Sequence, residues 1–191
     1  MCGRLNVTDS PTIQWISTYL GIDFSITPNV DLRPTQLVSA ITHRDGCLRQ
    51  IDVSWGIKPT WSKKVLINAR SETVGTARTF KDAFGQRRCI VPCAGWYEWR
   101  DEGGSRKQKY SFTRADGIPF LMAGIWFEGN DVPQLVTLTT YPNKCCAKIH
   151  NRMPVLIQPD KINTWLNASE KEVRPLLEPI GSGLMCVAKC D

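Results

Sequence analysis

Apolar residues along this chain come in short runs bounded by turn residues, and most of the runs read as strands. Leu37 to Thr42 and Cys47 to Ile57 form two of them, joined at Asp45-Gly46, a strong hairpin signal. Cys89 to Trp99, Lys109 to Arg114, Phe120 to Phe127 and Gln134 to Thr140 follow as successive strands, with turns supplied by Gly103-Gly104 and Asp116-Gly117. Met153 to Gln158 and Leu184 to Ala188 complete the set. Helices are fewer. Ser10 reads as an N-cap, Pro11 as the first helical position, and Thr12 to Leu20 as a helix that ends at Gly21. Phe80 to Arg88, Lys144 to His150 and Lys161 to Asn167 are short helical candidates. Ser169 and Glu172 have capping-box spacing and open a last helix that ends near Pro179. Many antiparallel strands with peripheral helices predict an α+β fold.

The chain has 191 residues, enough for one domain with a sizeable core. Repeats, low-complexity tracts and linkers are not evident. No apolar stretch approaches the roughly 20 residues that span a bilayer, and the first 30 residues do not have the layout of a signal peptide. A soluble intracellular protein is expected. Eight cysteines in such a chain read as reduced, mostly buried thiols. The pairs Cys89/Cys93 and Cys186/Cys190 lie in or beside apolar strand-like runs, which argues against zinc. Net charge is +6, carried by 13 Arg and 11 Lys. That is a mild pull toward polyanions, and arginine suits bidentate phosphate contacts. Lys63-Lys64 is a further basic pair, and Arg87-Arg88 reads as a solvated face.

The first residues carry the most chemical information. Cys2 is small enough for methionine aminopeptidase to remove Met1, which leaves a 1,2-aminothiol. With an aldehyde, the amine of such a group forms a Schiff base and the thiol closes a thiazolidine ring. Ring closure is intramolecular and gains effective molarity. An α-amine has a pKa near 7.8 against 10.4 for lysine, so at pH 7 its neutral fraction is on the order of 400-fold larger. Glu98 is the one carboxylate inside the aromatic strand Trp96-Tyr97-Glu98-Trp99. If it is buried there, desolvation would raise its pKa toward neutrality and suit it to proton transfer, whereas pairing with an arginine would make it structural. His150 is one of only two histidines; His43, beside the predicted hairpin, is assigned no chemistry.

Five motifs occur in order: Met-Cys-Gly-Arg (1–4), Trp-Gly-Ile-x-Pro-x-Trp (55–61), Asn-Ala-Arg-Ser-Glu-Thr (68–73), Gly-Trp-Tyr-Glu-Trp (95–99) and Ile-His-Asn-Arg-Met-Pro (149–154). Together they resemble the SOS-response-associated-peptidase (SRAP) family. The resemblance implies a single SRAP-like domain over 1–191, with a mostly antiparallel, bifurcated or barrel-like sheet core. It also implies binding to abasic sites in single-stranded DNA and a thiazolidine cross-link through Cys2, which shields the lesion. Carried over by position, Glu98 matches the acid/base glutamate, His150 the proton-shuttling histidine, and Asn68 the asparagine that orients the adduct. Arg4, Arg70, Arg78 and Arg152 match phosphate-holding arginines. Trp61, with Pro59, matches an apolar surface for flanking bases.

The residue chemistry agrees with these roles. Opening an abasic deoxyribose needs one proton taken and one given, which a carboxylic acid and an imidazole can supply. Arginines on phosphates position a strand without reading its sequence. Two other readings stand beside this one: a cysteine peptidase with Cys2 as nucleophile and His150 as base, and a non-catalytic reader of single-stranded or modified DNA. No cofactor or metal is expected. The expected state is a monomer in the cytoplasm, associated with the nucleoid when bound to DNA.

Overall fold

The structure, a computed structural model, describes residues 3–8 and 10–190. Cys2, the expected nucleophile, and the side chains of Ser10 and Pro11, where a helix cap is expected, lie outside the described residues.

Two sheets are built. The larger contains β3 (Leu37–Arg44), β4 (Cys47–Trp55), β5 (Asn68–Arg70), β6 (Arg88–Cys93), β9 (Phe120–Phe127), β10 (Gln134–Thr140) and β11 (Met153–Pro154). Its central path runs β10-β4-β3-β6-β9, and β10 pairs again with β9, which closes these strands into a barrel-like ring. The pairings of β10 with β4 and β5 are parallel, and the others in this sheet are antiparallel. The smaller sheet is antiparallel, in the order β12-β8-β7-β1-β2: β12 (Met185–Lys189), β8 (Gln108–Arg114), β7 (Gly95–Arg100), β1 (Leu5–Val7) and β2 (Asn29–Leu32). This is the expected α+β class with a mostly antiparallel, barrel-like core.

Successive side chains of a strand point to opposite faces, and here both faces of the larger sheet are covered. Phe120 and Met122 of β9 enter one core, shared with Trp96 and Phe112 of the smaller sheet. Leu121, Ala123 and Ile125 of the same strand enter a second core, against Ile16, Phe84 and Trp165. Those three come from the helices α1 (Ser10–Leu20), α2 (Lys81–Gln86) and α3 (Ile162–Asn167). Two-sided burial explains why β6 and β9 read as continuous apolar runs. The Trp96 ring stacks on Phe112 at 4.7 Å and meets Phe120 across the layer at 5.1 Å.

Turn chemistry acts where expected. Asp45 and Gly46 both take positive φ, 53° and 79°, as a tight hairpin between β3 and β4 requires. The Ser169/Glu172 capping box is formed at the start of α4 (Glu170–Val173), which passes into a 3-10 turn at Arg174–Leu177.

Four expectations need correction. Cys89 to Trp99 is not one strand: β6 ends at Cys93, and the chain crosses at Ala94 into β7 of the other sheet. Gly95 permits the crossing, since a Cβ there would lie 2.2 Å from the Phe112 carbonyl oxygen. Lys144 to His150 contains only a 3-10 turn at Cys146–Lys148. Of Met153 to Gln158, only Met153–Pro154 is a strand, followed by a single bridge from Leu156 to Met122. Lastly, Arg87-Arg88 is no solvated face. Arg88 is 5% exposed and donates to the carbonyls of Phe84 (2.7 Å), Gly85, Trp165 and Ala168. It thereby satisfies the last carbonyls of α2 and α3 and ties both helices to β6.

Losing that side chain leaves several buried acceptors unmatched. Arg88→Ala is expected to lower stability by about 3 kcal/mol. A shift of the urea midpoint to lower concentration at unchanged slope would show it.

Candidate functional site

The smaller sheet leads the start of the described chain to Glu98. Leu5 pairs with Trp96 and Asn6 with Gly95, and the Tyr97 amide donates to the Arg4 carbonyl at 3.0 Å. Glu98 follows Tyr97 on the same strand. Glu98 shares its face of β7 with Trp96 and points into the layer between the sheets. It is 4% exposed, and burial pushes its pKa up to about 7.

The larger sheet brings the other groups together along β10. Asn68 pairs with Thr137, whose hydroxyl donates to Asn68 Oδ1 at 2.6 Å. Arg70 pairs with Thr139 and is exposed. Arg152 reaches the same threonine, its Nη2 donating to the Thr139 carbonyl at 2.6 Å and to Glu72 at 2.9 Å. The Arg152 guanidinium holds the Glu72 carboxyl below its ordinary range. Nδ1 of His150 lies 3.1 Å from the Arg152 amide and 3.3 Å from the Arg152 carbonyl, so Arg152 backbone groups hold the ring by that nitrogen. Burial lowers the His150 pKa.

The two halves meet through the turn at Cys146–Lys148. Cys146 is buried in the core between the sheets, and its thiol is raised to about 12, first by burial and further by the charges of Cys145 and Glu98. The amides of Ile149 and His150 both return to the Cys146 carbonyl at 2.9 Å. Glu98 is thus raised toward neutrality and His150 lowered below its usual range.

The remaining expected residues stand further out. Arg4 forms a two-pronged ion pair with Asp31, both contacts 2.8 Å, and lies over the Trp99 ring at 5.5 Å. Arg78 is exposed, and Trp61 is 68% exposed. Among the described residues neither is joined to the cluster by a hydrogen bond or ring contact. Both belong to segment 58–78, where Lys58, Lys63, Lys64 and Arg70 are exposed as well. The other histidine, His43, is exposed on the β3–β4 hairpin.

Sequence reasoning missed Glu72, Thr137 and Thr139. The threonines left a trace, since they interrupt an apolar strand at a spacing of two. The pairing of Glu72 with Arg152, 80 residues away, left none.

Seven cysteines are described, all free thiols: three buried, two half-buried, and Cys47 and Cys186 exposed. Burial pushes the Cys93 thiol up to about 12. Among the described residues, no group of three or more His, Cys, Asp or Glu is placed to hold a metal, and no helix is long and apolar enough to cross a membrane.

Fold and site together define a two-sheet α+β protein with a buried carboxylate, Glu98, between the sheets, a half-buried histidine, His150, and exposed cations on segment 58–78. The sequence matches the model of the SOS response associated peptidase (SRAP) family over residues 1–189, and the chain belongs to that family. The abasic site processing protein YedK of Escherichia coli is 36% identical over 141 residues, covering 71% of this chain and 63% of YedK. The chain thus spans less than two thirds of that relative. The abasic site processing protein YoqW of Bacillus subtilis is 29% identical over 165 residues, 80% of this chain and 74% of its own. HMCES of Pongo abelii, also named an abasic site processing protein, is 29% identical, covering 65% of this chain and 48% of HMCES. A solved structure from Bordetella bronchiseptica superposes with a TM-score of 0.86 at 23% identity, covering both chains fully. One from Bacteroides thetaiotaomicron gives 0.82 at 24%, covering 100% of this chain and 92% of its own. These two likenesses establish the fold.

Proposed function

We propose that this protein acts on abasic sites in single-stranded DNA and forms a covalent thiazolidine through Cys2 once Met1 is removed. The observation that supports the reading is the β1–β7 pairing of Leu5 with Trp96, on the strand that carries a buried carboxylate, Glu98, with a pKa of about 7. The names of the relatives supply the substrate class.

In the proposed sequence, the sugar ring opens when a base removes the proton of the C1′ hydroxyl and an acid protonates the ring oxygen. His150 and Glu98 supply that pair. The α-amine of Cys2 attacks the C1′ aldehyde, and protonated Glu98 helps the carbinolamine lose water. The thiol then adds across the C=N bond and its proton goes to nitrogen. One water is released overall and no electrons are transferred. Asn68 orients the opened sugar. Arg4, Arg70, Arg78 and Arg152 hold phosphates, which fixes the strand without reading its sequence. Trp61 offers a face to a flanking base. Placement of the thiol on the residue that Met1 removal exposes favours this chemistry over peptide hydrolysis, which needs no free α-amine.

An oligonucleotide with one abasic site, incubated with the protein and run on a denaturing gel, tests the proposal. A shifted band that forms without borohydride is expected. A complex that dissociates on denaturation would leave a non-covalent reader. Trp61→Ala is expected to weaken binding to that oligonucleotide by about 1–3 kcal/mol and to leave the melting temperature unchanged, because the ring is exposed. Fluorescence anisotropy and thermal melting measure the two effects.

A further inference from the structure

We infer that Arg100 is a positioning residue that fixes the turn carrying His150 against the strand carrying Glu98. This rests on the acid–base roles proposed above for those two groups. Arg100 ends β7, two residues beyond Glu98. Its Nη1 donates to the Lys148 carbonyl at 3.0 Å, so it grips the 3-10 turn two residues before His150. That bond is a direct tie between the two sides of the candidate site.

The guanidinium is itself held. Its Nη2 donates to the Tyr110 hydroxyl at 2.9 Å and to Glu102, and its plane lies over the Tyr110 ring at 5.1 Å. Glu102 also accepts from Lys189 of β12 at 2.9 Å and from the Tyr110 hydroxyl. Three strands of the smaller sheet therefore converge to orient one cation at a carbonyl of the opposing turn. The turn relays the constraint, because the Cys146 carbonyl accepts the amides of both Ile149 and His150. From below, Asn143 Oδ1 accepts the amides of Cys145 and Cys146 at 3.1 and 3.0 Å. The turn is thus held by Asn143 at its start and by Arg100 at Lys148, so loss of Arg100 releases the end next to His150. A misplacement of about 1 Å in such a pair is enough to cost up to a hundredfold in rate.

The test compares wild type, Arg100→Ala and Arg100→Lys in single-turnover cross-linking at saturating abasic oligonucleotide. In parallel, NMR titrates His150 without DNA, with the exposed His43 as internal reference. Arg100→Ala is expected to slow adduct formation about tenfold, to leave the oligonucleotide's Kd unchanged and to move the His150 pKa up toward its ordinary value as water enters. Arg100→Lys is expected to recover part of both. A wild-type rate in Arg100→Ala, or a His150 pKa that does not move, would overturn the inference. If wild type forms no adduct, the cross-linking proposal falls, and the His150 titration still decides whether Arg100 holds the turn.

Discussion

Cys2→Ser is expected to lose the denaturation-resistant adduct with abasic DNA, by roughly two orders of magnitude or more, while keeping an adduct that borohydride can trap. Serine at position 2 still permits Met1 removal and still presents an α-amine, so the Schiff base forms. A hydroxyl is a much weaker nucleophile than a thiol, so ring closure, which draws on the effective molarity of an intramolecular group, fails. The imine then hydrolyses on denaturation. Gels run with and without borohydride separate the two steps. A peptidase that used only the Cys2 thiol would give no borohydride-dependent band in either protein, and a passive reader would bind equally well with serine.

Glu98→Gln is the second large effect, and it has two parts of opposite sign. Loss of a general acid or base typically costs about 10²–10⁴ in rate, and cross-linking is expected to slow within that range. Wild-type cross-linking is expected to fall as pH rises through about 7, where Glu98 loses its proton. Glutamine should abolish that fall. Stability moves the other way. The folded pKa lies above the ordinary carboxyl value of about 4.5, so the contribution of the neutral carboxyl is fully present below about 4.5 and is lost as pH rises through about 7. Above that, the buried carboxylate destabilises the wild type by about 3 kcal/mol. The variant is therefore expected to be the more stable protein at pH 8 and nearly equal to wild type at pH 4. Urea denaturation at the two pH values measures this. A variant destabilised at pH 8 would mean that Glu98 is held as a structural anion.

How far the sequence could be read followed from the range of the interactions involved. Asp45-Gly46, the Ser169/Glu172 box and the runs of β3, β9 and β10 depend on neighbours a few residues apart, and their elements lie where local chemistry puts them. β1, β2 and β5 are three or four residues long, too short to show a period, and they exist because a partner strand lies beside them. The break at Ala94 was hidden because both flanking strands bury their side chains, so the apolar pattern continues as the chain changes sheet. Arg88 looked like a surface residue because its partners are carbonyls, which every residue has. In the candidate site, Glu98 was legible as a carboxylate among aromatics. Asn68, His150 and the arginines needed the order of the motifs. The Arg152–Glu72 pair and the Arg100 grip on Lys148 span 80 and 48 residues and left no local signal.

The central claim is that the α-amine and the thiol of Cys2 both bond to the abasic sugar. Intact mass measurement of the denatured adduct, followed by peptide mapping, addresses it most directly. The account predicts a mass equal to the protein without Met1 plus the oligonucleotide less one water, with the modification at Cys2 and a Cys2 sulfur that iodoacetamide does not alkylate. An adduct on a lysine, an adduct on a chain that retains Met1, or no adduct from a Met1-processed protein would contradict it.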